Sequence, residues 1–320
     1  MAEHAPSLYA ATARDAPSFP ALTEAIRTSV AVVGGGYTGL SAALHLAEAG
    51  IDVALVEANL GGWGASGRNG GQLHSGQRRD QDWLETHLGR EEALRLWRLA
   101  EEAKALVHDL IQRHGIDAGW RPGLIETVHK PRLAAGERAY VDKLRDRYGY
   151  APVTWLDRDE LAEAIGTGVY HGGRRDMGAG HLDPLAFAQG LARAAAKAGA
   201  RIFENTRAEG IRTRAGVGIE IGCIAPTLQV GSGRGSITAD IVILAGNGYL
   251  AGIDEDVEAH VMPIDNYILA TEPIGAGRPG GILHGGAAVS DSRFVVYYFR
   301  PSADGRLIFG GGETYTKRAP

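Results

Sequence analysis

The chain has 320 residues, 44% of them hydrophobic and 22% charged, so it can bury a sizeable core in one or two domains. The formal net charge of −5 argues against a general affinity for nucleic acid or for an anionic membrane. The single cysteine, Cys223, excludes an internal disulfide and a cysteine-rich metal site, and it fits a cytoplasmic location. No apolar stretch is long enough to cross a bilayer, and residues 1–28 are expected to form a surface arm.

The first structural pattern lies in residues 30–57. Residues 30–33 form an apolar run typical of a buried parallel strand, and residues 40–49 carry a helical apolar stripe. A second apolar run at residues 53–56 ends at Glu57. The order of strand, turn, helix, strand and acid is typical of a dinucleotide-binding unit.

Three glycines, Gly34, Gly36 and Gly39, connect the first strand to the helix in the pattern G-x-G-x-x-G. Such glycines allow a tight turn, close approach of the backbone to a pyrophosphate, and close packing of the helix on the strand. Glu57 stands where a carboxylate can accept the ribose hydroxyls of an adenosine, and it disfavours NADP. The unit alone leaves NAD and FAD open.

A second glycine-rich segment, residues 64–72, favours FAD. A nicotinamide dehydrogenase needs no second glycine loop soon after Glu57, whereas a flavin cofactor extends over a longer path and needs the backbone close to it. Arg68 can neutralise phosphate, and the backbone N–H groups of Gly70 and Gly71 can face the isoalloxazine ring. An NAD-dependent dehydrogenase and a plain surface loop are the alternatives.

Further helices and strands follow in alternation. Helices are predicted at residues 83–115, 132–148 and 184–198. Strands are predicted at residues 201–204, 217–221, 227–230, 236–239, 241–245, 266–271, 294–300 and 307–310, with 241–245 fully buried.

These elements predict an α/β protein in which a Rossmann-like FAD-binding domain is interleaved with an α+β substrate domain built on an antiparallel sheet. We expect residues 1–82 and 150–256 to form the FAD-binding domain. Residues 83–149 and 257–320 are expected to form the substrate domain.

Several longer motifs have counterparts in one known family. They are residues 30–57, the run Gly-Ala-Ser-Gly-Arg-Asn-Gly-Gly at 64–71, His-Leu-Asp-Pro at 181–184, and residues 243–250, 270–273 and 298–311. On these motifs the chain resembles the D-amino-acid oxidase-like family of FAD oxidoreductases, over residues 8–315. The resemblance implies oxidation of a CH–NH or CH–NH2 donor, by hydride transfer to FAD, to an imine that water hydrolyses.

The resemblance also implies which residues contact FAD. They are Gly34, Gly36, Gly39, Glu57, Ser66, Arg68, Asn69, Gly70, Gly71, Gln72, Ala208 and Gly246. Ala208 stands where family members usually place a valine against the adenine, so that contact is expected to be thinner. Cys223 has no place near the flavin loops, so FAD is expected to bind noncovalently, and no metal is expected.

Substrate-side candidates are His74, Tyr267, Tyr298 and Arg300. Tyr298 and Arg300 share one face of a strand by period-two alternation. Arg300 could pair with a substrate carboxylate or be bound to a neighbouring loop. His74 could face the substrate or be an exposed or structurally bound histidine.

The resemblance implies a small amine or amino acid as substrate, with gamma-glutamylputrescine as a candidate and oxygen as the electron acceptor. Relatives continue for a substantial segment beyond the position that matches Pro320, so the chain is expected to be C-terminally truncated. The alternative hypothesis is a truncated remnant without catalytic activity.

Overall fold

The computed structural model describes residues 3–214, 218–225, 233–250, 252–274 and 282–314. The chain divides into two compact units, which are described separately. Unit 1 comprises Met1–Asn69, Ile116–Ala118 and Pro184–Ile264. Unit 2 comprises Gly70–Gly115, Gly119–Asp183 and Asp265–Pro320. The strand predicted at residues 227–230 lies outside the described residues.

The helices and strands are numbered in chain order. The helices are α1 (Leu8–Thr12), α2 (Tyr37–Glu48), α3 (Gln81–Leu88), α4 (Arg90–His114), α5 (Ala134–Tyr148), α6 (Arg158–Ile165), α7 (Pro184–Lys197) and α8 (Glu255–Glu258). The strands are β1 (Ala25–Val33), β2 (Val53–Val56), β3 (Gln72–Leu73), β4 (Arg121–Thr127), β5 (Val153–Leu156), β6 (Gly173–His181), β7 (Arg201–Phe203), β8 (Arg207–Arg214), β9 (Gly218–Ala225), β10 (Gly233–Leu244), β11 (Asp265–Pro273), β12 (Ala288–Asp291), β13 (Tyr298–Pro301) and β14 (Arg306–Thr314).

Unit 1 is built on a sheet with the strand order β7-β2-β1-β10-β9-β8. The first four strands run parallel, and β9 and β8 continue the sheet as antiparallel strands. The predicted apolar runs of β1 and β2 are buried, as expected for central parallel strands. Helices α2 and α7 pack against each other, and α2 also contacts β1 and β2.

Unit 2 contains a sheet with the order β11-β14-β13-β12-β4-β6-β3, and β5 pairs with β6. The recorded strand pairs are antiparallel except for β12 and β4, which run parallel. The prediction of an α/β protein with a Rossmann-like part and a largely antiparallel second sheet is therefore confirmed. Among the described residues, no helix has both the length and the apolar character needed to cross a membrane.

The unit boundaries differ from the predicted domain boundaries. Residues 70–82 and 150–183 were assigned to the FAD-binding domain, but they lie in unit 2. The reason is strand pairing, because β3 and β5 both pair with β6 in the sheet of unit 2. The functional assignment of the two units stays a prediction.

Several predicted elements need correction. The helix predicted at residues 83–115 is two helices, α3 and α4, because Gly89 at φ +84° interrupts it. The strand predicted at 294–300 begins only at Tyr298. The surface arm predicted at residues 1–28 is partly buried, since Tyr9 and Leu22 are 5% and 1% exposed and β1 begins at Ala25.

The strand predicted at residues 241–245 is part of the longer strand β10, and it is not fully buried. Ile237 and Ala239 belong to the core of unit 1, but beyond Asp240 the residues packed against that core are Val242 and Leu244. The alternation therefore changes phase at Asp240. Ile241 faces away from this core and is 58% exposed.

Candidate functional site

Unit 1 contains a cavity of about 760 Å³ at the carboxyl ends of its parallel strands. Lining residues at these strand ends are Val33 and Gly34 at the end of β1, Val56 and Glu57 at the end of β2, and Leu244, Ala245 and Gly246 at the end of β10. Residues 63–66, in a loop, and residues 206–208, at the beginning of β8, complete much of the wall. In open α/β sheets this edge is where ligands bind.

The glycine turn after β1 has no room for side chains. Gly34 has φ +113°, and a Cβ there would lie 2.6 Å from Ala245 O. A Cβ on Gly39 would overlap Gly34 O and lie 3.2 Å from Val32 Cγ1. The turn thus lets α2 begin close against β1, with its first N–H groups near the cavity. One of them, Tyr37 N–H, donates to Ser66 Oγ at 3.1 Å.

Glu57 holds its carboxylate in the cavity wall through backbone hydrogen bonds. Its Oε2 accepts from Gly35 N at 2.7 Å, and its Oε1 accepts from Asn59 N at 2.8 Å. Burial raises the pKa of Glu57, and these backbone N–H groups act in the opposite direction. Each carboxylate oxygen keeps a further lone pair, so the group can still accept ribose hydroxyls.

The second glycine-rich loop follows a tight course beside the cavity. Ser66 lines the cavity. Asn69 Nδ2 donates to Ala65 O and Ser66 O, both at 3.0 Å, and thereby closes the turn. The Arg68 guanidinium lies over the Trp63 ring, 4.4 Å from its centre.

The predicted unit 1 residues thus fall into two groups. Gly34, Gly36, Glu57, Ser66, Ala208 and Gly246 line the cavity. Gly39, Arg68 and Asn69 are not among its lining residues.

Sequence reasoning missed several cavity residues. They are Tyr37, Thr38, Asn59, Trp63, Thr206, Arg207, Asn247 and Tyr249. Trp63 lines the cavity beside Tyr249, with ring centres 6.1 Å apart. The available signal was position, because most of these residues immediately follow a strand end or the glycine turn.

Arg300 organises a second cluster, which lies within unit 2. It is 5% exposed, and its Nε donates to Gly70 O at 2.6 Å while its Nη2 donates to Leu182 O at 3.1 Å. A Cβ on Gly71 would overlap Leu182 O and lie 3.2 Å from Arg300 Nη2. This geometry favours the second interpretation of Arg300, an arginine bound to a neighbouring loop.

His181 is the buried neighbour of Arg300, and sequence reasoning gave it no role. The imidazole is in a residue only 2% exposed, with Nε2 2.8 Å from Gly286 O and Nδ1 3.5 Å from Arg300 Nη1. These partners require a neutral ring that donates from Nε2 and accepts at Nδ1. Burial, together with the positive charges of Arg300 and Arg121, lowers the pKa of His181 to about 4.

Gln72 provides a test of whether unit 2 residues fit a flavin. Its Nε2 is buried and has no hydrogen-bond partner among the described residues, so it can donate to an acceptor atom of a bound ligand. A Cβ on Gly70 would overlap Gln72 Oε1, and a Cβ on Gly71 would overlap Leu182 O. The unpaired donor and the backbone without side chains fit a planar group with acceptor atoms, such as an isoalloxazine ring.

His74 is held by a carboxylate in unit 2. Its Nδ1 lies 3.4 Å from Glu126 Oε1, and Glu126 Oε2 accepts a short hydrogen bond from Arg174. Arg174 also pairs with Glu137 at 2.6 Å. Burial opposes the charge of Glu126, but Arg174 and His74 hold its pKa below the ordinary value. The His74 side chain remains 43% exposed, so its ring is both oriented and accessible.

Tyr298 reaches across the neighbouring strand. A Cβ on Gly310 would overlap the Tyr298 ring, whose hydroxyl donates to Asn266 Oδ1 at 2.8 Å. Tyr298 and Arg300 both contact the segment at Gly70, as the predicted alternation requires. Tyr267 lies on β11 and is 40% exposed.

A strand, glycine turn, helix and strand with an acid at its end, all bordering one cavity, define a dinucleotide-binding protein of the Rossmann type. The particular family follows from comparison with known proteins. A family model described as FAD dependent oxidoreductase matches residues 29–320. The chain belongs to this family, and the prediction of an FAD-dependent oxidoreductase is confirmed.

Curated relatives match over nearly the whole chain. The chain is 44% identical to a probable oxidoreductase OrdL of Rhizobium meliloti, over 98% of this chain and 71% of the relative. It is 36% identical to gamma-glutamylputrescine oxidoreductase of Escherichia coli, over 100% of this chain and 72% of the relative.

Solved structures agree in fold. Glycine oxidase from Geobacillus kaustophilus aligns with a TM-score of 0.68 at 24% identity, over 92% of this chain and 74% of that chain. L-Proline dehydrogenase from P. horikoshii aligns with a TM-score of 0.69 at 19% identity, over 94% of this chain and 74% of that chain.

Proposed function

We propose that this chain oxidises gamma-glutamylputrescine or a related small amine or amino acid, with noncovalently bound FAD and with oxygen as the electron acceptor. The observation that carries the proposal is the cavity bordered by the glycine turn and Glu57, in a chain of the FAD dependent oxidoreductase family. The substrate class is supported by the 36% identity to gamma-glutamylputrescine oxidoreductase. The reducing environment suggested by a single buried cysteine supports a cytoplasmic enzyme.

In unit 1 we assign the ADP half of FAD to the cavity. Gly34 and Gly36 would let the backbone approach the pyrophosphate, and Gly39 would keep α2 close enough to direct its N–H groups there. Glu57 would accept the ribose hydroxyls, and Ala208 would border the adenine. Ser66, Arg68, Asn69 and Gly246 would support the pyrophosphate from the neighbouring loops.

In unit 2 we assign the flavin contacts to Gly70, Gly71 and Gln72. The buried Gln72 Nε2 would donate to an acceptor atom of the ring. When bound, FAD supplies the chemistry by accepting a hydride from the carbon that bears the nitrogen. Arg300 would fix the two glycines in place by its bonds to Gly70 O and Leu182 O.

On the substrate side, His74 and Tyr298 are the stronger assignments. His74 is oriented by Glu126 and its side chain is 43% exposed, so its ring would be placed to hydrogen-bond a substrate amine. The Tyr298 hydroxyl, already bonded to Asn266, could also accept a hydrogen bond from the amine. Tyr267 is retained as a further candidate.

The test is a visible absorption spectrum of the purified chain, followed by anaerobic titration. We expect a flavin spectrum near one FAD per chain, with free FAD in the supernatant after denaturation. Gamma-glutamylputrescine should bleach the spectrum without air, and admission of oxygen should restore it. Putrescine, which lacks the gamma-glutamyl group, is the matched control and should bleach it more slowly.

Other results would overturn parts of the proposal. A folded but colourless chain that takes up no added FAD would contradict the proposed FAD site and favour a chain without catalytic activity. Bound NAD in place of FAD would support a dehydrogenase. FAD that stays with the denatured chain would contradict noncovalent binding, and bleaching by neither amine would contradict the substrate class.

A further inference from the structure

The N-terminal segment, residues 3–24, runs along the part of unit 1 that borders the cavity. It is not a free arm, because Tyr9 and Leu22 are buried and several backbone groups are bonded to the rest of the unit. The polar contacts of the segment are concentrated on the loop at residues 61–69, which overlaps the second glycine-rich segment, and on the strand connection at residues 204–206. Both regions border the candidate cofactor site.

The first contacts join the segment directly to the loop. Trp63 Nε1 donates to Glu3 O at 2.8 Å, and the Tyr9 hydroxyl donates to Asn69 O at 2.9 Å. Trp63 lines the cavity, and Asn69 closes the turn that presents Ser66. The two bonds therefore hold the loop near both of its ends.

Glu204 supplies the second connection. This residue is 2% exposed, and its carboxylate accepts from Gly61 N at 2.7 Å through Oε1 and from Phe19 N at 3.1 Å through Oε2. One buried carboxylate thus joins the beginning of the loop to the N-terminal segment. The pairing is reinforced by the backbone, since Glu204 N donates to Pro20 O at 3.2 Å.

Thr206 supplies the third connection and reaches the cavity itself. Its Oγ1 accepts from Leu22 N at 3.0 Å, and its backbone N donates to Glu57 O at 2.8 Å. Thr206 lines the cavity next to Glu57. The N-terminal segment is therefore bonded to two cavity-lining parts of unit 1, the loop at Trp63 and the strand connection at Thr206.

We propose that Tyr9 and Glu204 are positioning residues for cofactor binding, which hold the loop at residues 61–69 in its phosphate-binding form by tying it to the N-terminal segment. The inference rests on the proposed FAD site. Neither side chain lines the cavity, so each acts through the loop. The ligand group affected is the pyrophosphate of a dinucleotide, because Ser66 and the first N–H groups of α2 meet at this loop.

The test compares Tyr9→Phe with the wild-type chain in two measurements. Tyr9→Phe removes only the hydroxyl that bonds to Asn69 O and keeps the buried ring, so the fold should be retained. In the chain without ligand, we expect faster hydrogen exchange in peptides that cover residues 61–69, because the amides of Gly62, Gly67 and Arg68 are bonded within unit 1. With ligand, we expect FAD and ADP to bind about fivefold more weakly, as expected for one lost hydrogen bond.

Adenosine separates a positioning role from general destabilisation. It has no phosphate, so its affinity should be unchanged in Tyr9→Phe if the loop acts on the pyrophosphate alone. Equal weakening of adenosine, ADP and FAD would overturn the proposal and indicate a general effect on the unit. Glu204→Gln keeps the shape of the side chain but replaces one acceptor oxygen by a donor N–H group. The affinity for ADP should therefore fall by about tenfold or more.

A matched control removes a tyrosine hydroxyl elsewhere. Tyr148→Phe loses a bond to Glu85 Oε1 of 2.6 Å in unit 2, and it should change neither the exchange of residues 61–69 nor ADP binding. If the wild-type chain binds no FAD or ADP, the proposed function fails, but the exchange comparison still decides this inference. Unchanged exchange of residues 61–69 in both Tyr9→Phe and Glu204→Gln would overturn it.

Discussion

The candidate site of unit 1 is formed mainly by backbone groups, whereas that of unit 2 is organised by polar side chains. In unit 1 the cavity is shaped by backbone, with glycines where a Cβ would overlap another residue and with Glu57 held by backbone N–H groups. In unit 2 a buried charged side chain organises the candidate site, because Arg300 donates to Gly70 O and Leu182 O and lies 3.5 Å from His181 Nδ1. The cavity of unit 1 therefore depends on positions where no side chain occupies the space. The cluster of unit 2 depends on which polar side chains are hydrogen-bonded and on their protonation state.

The largest expected effect on stability and FAD binding comes from Gly39→Ala, at the glycine turn of unit 1. In Gly39→Ala the new Cβ would overlap Gly34 O, which is backbone and cannot move aside without opening the glycine turn. We expect a loss of at least about 3 kcal/mol in the free energy of unfolding, together with loss of FAD. Urea denaturation and the flavin content of the purified chain measure these effects.

The control for this variant is Gly222→Ala, also in unit 1. No atom lies within 4 Å of a Cβ at Gly222, so its unfolding free energy should change by about 0.5 kcal/mol or less. Equal stability and flavin content in Gly39→Ala and Gly222→Ala would show that the close packing of α2 on β1 is not required.

The second largest expected effect is a pH dependence of the unfolding free energy, caused by His181 in unit 2. The pKa of His181 is about 4 in the folded chain and near the ordinary 6.5 when unfolded, so folding favours the neutral ring. Its contribution is fully present above pH 6.5 and is lost as the pH falls toward 4, at about 1.4 kcal/mol per pH unit and up to about 3 kcal/mol in total. Urea denaturation between pH 7.5 and 4 measures this slope.

His181→Gln should make the slope shallower between pH 6.5 and 4, because the titrating group is removed. The exposed histidine of α2 provides the matched variant, since His45→Gln retains His181 and therefore its contribution to the slope. Identical slopes in the wild-type chain and in His181→Gln would contradict a neutral, buried His181.

The same contrast explains what the sequence could predict. Gly34, Gly36, Gly39 and Glu57 lie within 24 consecutive residues, and each has a local reason for its type, so the pattern predicted both the strands and the site. Strand β6, with the sequence GRRDMGAGH, has neither an apolar run nor a clear alternation, and it was not predicted. Its place in the sheet comes from pairing with β3, β4 and β5, which a local pattern does not contain.

The cluster in unit 2 shows the same limit more sharply. Gly70, His181 and Arg300 are more than 100 residues apart along the chain, so no spacing could reveal that they meet. Period-two alternation did place Tyr298 and Arg300 on one face. It could not decide between a substrate partner and a bond to Gly70 O for Arg300, since both need the same buried guanidinium.

The third expected effect tests whether Arg300 holds the cluster that it forms with Gly70, Leu182 and His181. In Arg300→Lys a single ammonium group replaces the planar guanidinium and cannot reach both Gly70 O and Leu182 O. We expect the unfolding free energy to fall by about 2 kcal/mol, because a buried acceptor loses its donor. The exposed Arg95→Lys is the control and should be nearly neutral. Full stability in Arg300→Lys would instead favour the first interpretation, an arginine that pairs with a substrate carboxylate.

The smallest expected effect concerns Tyr298. Its hydroxyl donates a hydrogen bond to Asn266 Oδ1, and it is also proposed to bind the substrate amine. Tyr298→Phe removes the bond to Asn266 Oδ1 and should lower the unfolding free energy by about 1 kcal/mol. If the hydroxyl also bonds the amine, KM should rise severalfold while FAD affinity stays unchanged. The neighbouring Tyr297→Phe, whose hydroxyl has no partner among the described residues, should change neither quantity. A loss of stability without a change in KM would confine Tyr298 to holding β13 and β11 together, and leave His74 as the stronger substrate-side candidate.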